Sequence, residues 1–317
     1  MILEWYELLI LGVVLFVLFL NFYAGYRIAQ SIYNPVRHSL METRIRETEK
    51  TPDLMQAYDE WEKIPYSIET NNGYDLKAYY LPTELHVDGC KDCFVIIAHG
   101  YTYTHHGGIK YASIFKELGF NVILYDERYH GESGGNNCSL GFYEEQDLEV
   151  VISDTFTRFG PDLFLGTYGE SMGASTVILE QAHDSRLQFV IADCPFSDLT
   201  ELVTYLVKRK GHLPKWPYVG LANFFFKLAT KTEFKSISPL NAIKKAKVPF
   251  LIMHGSKDEF IPPKHSQALF EACPSEKQLY ISTNPAKHAE SFLMNRVEYT
   301  EIVKNFISKV IYNSQRN

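Results

Sequence analysis

The stretch Leu163-Phe-Leu-Gly-Thr-Tyr168-Gly-Glu-Ser171-Met-Gly173-Ala-Ser-Thr-Val-Ile-Leu-Glu-Gln-Ala182 decides how the rest of the chain is read. Its first half is a short apolar run of buried-strand length, and Ala174–Ala182 reads as a helix. Between them stands Gly169-Glu-Ser171-Met-Gly173, a G-x-S-x-G sequence in the strand-turn-helix setting that gives the motif chemical meaning. A serine on so sharp a turn is held out for reaction, and glycines on either side let neighbouring backbone approach. The helix start behind it offers N–H groups to developing negative charge.

The motif occurs a second time, as Gly131-Glu-Ser133-Gly-Gly135. There Asp126-Glu-Arg-Tyr-His130 separates it from its strand, and Gly135-Asn-Asn137 follows where a helix would have to begin. Ser133 therefore reads as part of a glycine-rich loop and Ser171 as the nucleophile.

Outward from the elbow, further apolar runs of strand length are Phe94–Ala98, Val122–Tyr125, Val190–Ala192, Phe250–Met253 and Leu279–Ile281. Amphipathic stretches lie between them at Tyr111–Leu118, Glu144–Phe159 and Lys264–Ala272. Near-continuous apolar strands alternating with helices predict a mostly parallel sheet covered on both faces. Ile64–Glu69 and Tyr74–Tyr80 flank Asn71-Asn72-Gly73 and read as an antiparallel hairpin at the sheet edge. Ser197 to Lys247 breaks this rhythm, with no strand pattern and many aromatics, including Trp216, Tyr218 and Phe224-Phe225-Phe226. An interval that long is expected to be functional, and it reads as a helical lid over residues 197–247.

A serine hydroxyl needs a base, and the base needs an orienting acid. In the order serine, acid, histidine, Asp258 in His254-Gly-Ser-Lys-Asp258 follows the penultimate strand, and His288 in Asn284-Pro-Ala-Lys-His288 follows the last. His254 falls where it would brace the Asp258 loop, His265 lies in the next helix, and Glu259 is one residue off the acid position. The expected oxyanion donors are the backbone N–H groups of Met172 and of Tyr101 in His99-Gly100-Tyr101. His99 could pass for a metal ligand beside His105 and His106, but no carboxylate or cysteine completes that set, so structural roles are expected and neither metal nor cofactor is predicted.

The N-terminus is a separate problem. Leu8 to Tyr26 carries no charge, and its nineteen residues would rise about 28 Å as a helix, close to a bilayer's hydrocarbon thickness. Glu4 and Glu7 precede the run, which argues against a cleaved signal peptide. Arg27, Arg37, Arg44 and Arg46 all follow it, so the positive-inside rule puts the remainder in the cytoplasm. We therefore expect an anchor over 1–27, a charged helical linker over 28–60 and a catalytic domain over 61–317. The net charge of −7 is spread along the chain, which excludes nucleic acid as a natural partner. Five cysteines, an odd number, read as reduced thiols, and the Cys90/Cys93 pair as incidental.

These residues resemble a known family. From about Trp61 to Ile307 the chain is similar to bacterial α/β-hydrolases of the serine aminopeptidase-like and Bem46-like groups. The likeness is carried by His99-Gly-Tyr101, Tyr125-Asp-Glu-Arg-Tyr-His-Gly-Glu-Ser133, Gly169-Glu-Ser171-Met-Gly173, Ile191-Ala-Asp-Cys-Pro-Phe196 and His254-Gly-Ser-Lys-Asp258. The resemblance implies an eight-stranded sheet, a lid after the sixth strand and no cofactor. It does not choose a substrate, because this fold carries many chemistries. The leading expectation is hydrolysis of a carboxylic ester with an apolar acyl or alcohol portion, such as a lipid-derived one, through an acyl-enzyme. Two alternatives stand beside it. One is a peptidase, for which Glu170 or Glu201 would bind a charged peptide terminus; the other is a non-catalytic binding protein tethered at the membrane.

Overall fold

The structure, a computed structural model, describes residues 4–85, 87, 90 and 92–316. Eight strands form one sheet: β1 Ile64–Glu69, β2 Asp75–Leu81, β3 Cys93–Ala98, β4 Asn121–Tyr125, β5 Phe164–Glu170, β6 Phe189–Asp193, β7 Phe250–His254 and β8 Lys277–Ile281. Their spatial order is β1-β2-β4-β3-β5-β6-β7-β8. The pairs from β4 to β8 are parallel, and β2 runs antiparallel to both β1 and β4. The hairpin edge and the parallel body are as expected from the apolar pattern.

Among the described residues, twelve α-helices accompany the sheet: α1 Trp5–Tyr33, α2 Leu40–Lys50, α3 Pro52–Glu60, α4 Ile109–Glu117, α5 Phe142–Phe159, α6 Met172–Glu180, α7 Leu199–Arg209, α8 Lys215–Thr230, α9 Pro239–Ile243, α10 Lys264–Ala272, α11 Ser291–Met294 and α12 Arg296–Ser314. Alternation along β3 shows why both faces need cover. Phe94, Ile96 and Ala98 join a core with Val151 of α5, Val177 of α6 and Leu269 of α10. Val95 and Ile97 join the opposite core, with Phe115 of α4 and Phe306 of α12. A strand buried on both sides has no polar face to show, hence the unbroken apolar run.

The helices α7, α8 and α9 fill the interval between β6 and β7, where no strand pattern was found. Residues 28–60, expected as a charged linker, are instead fastened to the domain. Leu54, Met55 and Tyr58 of α3 enter the second core, and burial of each of the first two contributes about 2 kcal/mol. In α2 the buried Thr43 meets Thr104 and His106, and Tyr103 donates to Glu47 at 2.7 Å. Apart from the buried Glu47, the charges seen in the sequence lie toward the outer face, because a helix can be polar on one side and packed on the other.

Cys90 and Cys93 are joined by a disulfide where reduced thiols were expected. Their Cα atoms lie 5.8 Å apart, within the span such a bridge allows. Cys138, Cys194 and Cys273 are free and buried.

One buried group makes stability depend on pH. Glu180, at the end of α6, is buried with neither carboxylate oxygen bonded among the described residues. Burial, followed by the charge of Asp184, pushes its pKa up to about 9. Between its unfolded value near 4.5 and about 9, the folded chain holds a proton that the unfolded chain has released, so stability falls as pH rises. Glu180→Gln is expected to remove this slope. The variant should gain on the order of a few kcal/mol over wild type between pH 5 and pH 9, read by denaturant unfolding across that range. Parallel curves for the two proteins would sink the assignment.

Candidate active site

Ser171 sits between β5 and α6 with φ 57° and ψ −111°, a conformation that costs a non-glycine residue on the order of 1–3 kcal/mol. The surroundings over-determine it. A side chain at Gly169 would strike the Gly173 carbonyl, and one at Gly173 would strike the Ala98 carbonyl at the end of β3. The Ser171 N–H donates to Asp193 O at 2.8 Å, and the Ser175 N–H to Ser171 O at 3.1 Å. The turn is thus pinned by its own strand, its helix and β6.

The three side chains picked out by order in the sequence come together. Ser171 Oγ lies 2.8 Å from His288 Nε2, and His288 Nδ1 lies 2.6 Å from Asp258 Oδ2. The other Asp258 oxygen accepts the N–H groups of Phe260 and Ile261, both at 2.8 Å. Burial pushes the Asp258 carboxyl up, but bonds from His254 and His288, with their charge, outweigh this and hold it well below the ordinary carboxylate range. A carboxylate fixed in this way keeps the Nδ1 proton on His288 and leaves Nε2 free to accept from Ser171.

Neighbouring candidates fall away from this line. Ser133 Oγ donates to the Asp126 carbonyl at 2.5 Å and accepts from the Lys77 N–H at 2.8 Å, which ties it into the loop. Glu259 pairs with Arg209 at 2.6 Å on the surface. His265 Nδ1 accepts from Ser197 at 2.8 Å. His254 does brace the acid loop: its Nε2 lies 2.7 Å from Ile261 O and 3.3 Å from Asp258 Oδ2.

On the oxyanion side, Met172 opens α6 directly after the serine. Among the described residues neither its N–H nor that of Tyr101 meets an acceptor. Gly100 abuts Ser171, since a Cβ there would lie 3.6 Å from Ser171 Cβ. His99 aims this turn. Its Nδ1 is 2.8 Å from Gly100 O, and its Nε2 accepts the Glu127 N–H at 2.9 Å. Burial lowers its pKa to about 3, so it is neutral and serves as a strut. His105 has found a carboxylate after all, with Nδ1 at 2.9 Å from the buried Asp126. That partner was hidden because it lies twenty-one positions away.

Glu170 is the clearest residue that sequence reasoning misjudged. It turns inward, pairs with the buried Lys110 at 2.7 Å and accepts the Tyr111 hydroxyl. Tyr299 donates to the neighbouring Asp193 at 3.0 Å and meets Tyr168 at 2.5 Å. This polar cluster backs the elbow and is not offered to a ligand. No local signal pointed to it, because Lys110 and Lys116 of α4 look alike in sequence and only the fold buries the first.

Above Ser171 opens a cavity of about 460 Å3. Its walls are Leu199, Leu202, Val203, Leu206 and Val207 of α7, Phe260 and Ile261 from the acid loop, and Ile28, Ser31 and Ile32 of α1. Lys210 is the one charged lining residue among those described, and its ammonium lies 4.3 Å from the centre of the Phe260 ring. The Tyr101 hydroxyl donates to Ser31 O at 2.6 Å, which clamps the end of α1 to the His99–Tyr101 turn. Cys194 Sγ sits within 4.8 Å of Asp258 and His288, whose facing atoms are already bonded to each other.

Comparison with known proteins is consistent with this arrangement. A family model described as BD-FAE matches residues 168–273. The Bacillus subtilis protein YqkD is 36% identical over 267 residues, covering 84% of this chain and 86% of its own. YNL320W of Saccharomyces cerevisiae, described as a membrane protein, is 25% identical over 61% of this chain and 62% of its own. The Pyrococcus furiosus esterase Pf2001 superposes with a TM-score of 0.66 at 23% identity, over 88% of this chain and 98% of its own.

Proposed function

The chain belongs to the α/β-hydrolase superfamily, and from that premise we propose that it is a serine esterase acting on carboxylic esters with an apolar acyl or alcohol portion. The observation that carries the reading is the relay Ser171–His288–Asp258 at 2.8 and 2.6 Å beneath an apolar cavity. Ser171 Oγ attacks the ester carbonyl carbon as His288 Nε2 takes its proton. The oxyanion rests on the N–H groups of Tyr101 and Met172. The C–O bond to the alcohol then breaks, His288 protonates the leaving alkoxide, and water repeats the sequence on the acyl-enzyme. Preorganised donors are worth about 10²–10³ in rate each. Residues 197–247 act as the lid.

The peptidase alternative needs a charged group at the pocket, and the two acids considered for it are engaged elsewhere. Glu170 is bonded to Lys110 and Tyr111, and Glu201 to Lys264 on the surface. A fluorophosphonate probe should label the native chain, and p-nitrophenyl esters of increasing chain length should be cleaved at least about tenfold faster than aminoacyl anilides, since an apolar cavity gains about 0.8 kcal/mol per buried CH₂. Preference for anilides would overturn the esterase assignment, and absence of labelling would favour a binding protein.

We read α1 as a single-pass anchor. Arg27, Arg37, Arg44 and Arg46 on its C-terminal side favour a cytoplasmic catalytic domain. The Cys90–Cys93 bond points the other way, because such bonds persist mainly outside the cytosol. Protease protection in sealed membranes decides between them.

A further inference from the structure

Among the described residues, the exposed surface of α8 has no partner. Trp216 is 84% exposed ahead of a kink at the helix start, and beyond the kink Gly220, Phe224 and Leu228 share one face by their four-residue spacing. Phe224 is 51% and Leu228 55% exposed. In a chain of net charge −7, exposed cations nevertheless flank this stripe in the sequence: Lys208 and Lys215 ahead of it, Lys227 and Lys231 beyond its middle. Apolar face, tryptophan and flanking lysines form the pattern of a helix lying in a membrane interface.

What sets α8 apart from any other greasy surface helix is its neighbour. Gly25 of α1 lies so close to α8 that a Cβ would strike Leu221, and Phe22 and Tyr26 of α1 present edges to Phe225 at 6.3 and 5.6 Å. Immediately before this contact, residues 8–20 of α1 are apolar and exposed on all sides. The α8 stripe therefore continues the uncovered surface of α1, and the last turns of that same helix wall the cavity over Ser171.

We propose that the exposed face of α8 lies in the bilayer leaflet entered by α1, with its lysines against anionic headgroups, and that the cavity draws from that leaflet an acyl ester of a membrane-resident amphiphile. The choice of ester rests on the esterase reading; the docking does not. A buried apolar stripe gains on transfer what it loses by standing in water, and each nearby lysine adds attraction to an anionic surface.

The chain has three tryptophans, so Trp5→Phe with Trp61→Phe leaves Trp216 as the sole emitter in the full-length protein. It is reconstituted through α1 into vesicles of phosphatidylcholine with a quarter phosphatidylglycerol. Emission from Trp216 should shift to the blue and be quenched about twofold by a nitroxide on the upper acyl chain, as expected at the interface. Emission as in water overturns the proposal, and so does a blue shift without quenching, which is the result expected if a second copy covers α8. Separately, Phe224→Asp with Leu228→Asp should slow hydrolysis of vesicle-embedded p-nitrophenyl palmitate by about tenfold while leaving dissolved p-nitrophenyl acetate unchanged. Equal hydrolysis of the embedded ester by both proteins overturns delivery from the leaflet. If neither ester is cleaved by wild type, the esterase reading has failed, and the quenching result still decides the docking.

Discussion

Ser171→Ala is expected to lower ester turnover by about 10⁴–10⁶-fold with little change in the unfolding midpoint. The loss is that large because the relay acts as a unit: without Oγ there is no acyl-enzyme, and His288 has nothing to deprotonate. What survives is the contribution of binding and the oxyanion donors to direct attack by water, about 10³–10⁴ over solution. Ser133→Ala is the matched control, since Ser133 occupies the same motif but is spent on Asp126 O and the Lys77 N–H. It should cost about 1 kcal/mol of stability and leave turnover within twofold. Steady-state kinetics with a soluble p-nitrophenyl ester, alongside thermal unfolding, measures both. Comparable turnover by Ser171→Ala and wild type would end the case for Ser171.

Asp258→Asn is expected to lower kcat by about 10⁴-fold at neutral pH. The shape is retained, so the Phe260 and Ile261 N–H groups still find an oxygen. The amide, however, would present its NH₂ to His288 Nδ1, which now lies 2.6 Å from a carboxylate oxygen. A donor there selects the tautomer with its proton on Nε2, the atom that must accept from Ser171. The binding of a fluorophosphonate should slow to a similar degree. A loss under tenfold would show that Asp258 is a loop brace held by His254 and not the orienting acid.

Much of this was legible from the chain. The periods and lengths of apolar runs placed the strands, and the hairpin was marked by Asn71-Asn72-Gly73, because local sterics and two-sided burial leave their signature within a few residues. The elbow was chosen over its duplicate by the same local logic. Other features left no local trace. Glu170 looked available to a ligand, yet Lys110 and Tyr111 on α4 occupy it. His105 looked unpartnered, yet Asp126 supplies the carboxylate. Each of these pairs joins residues far apart in the chain, and a single sequence carries no statement of which distant charges meet.

The membrane segment draws the line most clearly. By itself the sequence determined that Leu8 to Tyr26 is long and apolar enough to span, and that Ser171, Asp258 and His288 stand in the order a relay requires, because hydropathy and motif spacing are properties of contiguous residues. Only the tertiary structure decided that residues 28–60 are packed against the domain and that Ile28, Ser31 and Ile32 wall the cavity over Ser171. The physical reason is that α1 continues unbroken to Tyr33, so the helix that begins in apolar surroundings ends as part of the pocket. Which face it presents there depends on α8 and on Tyr101, residues contributed by other parts of the fold.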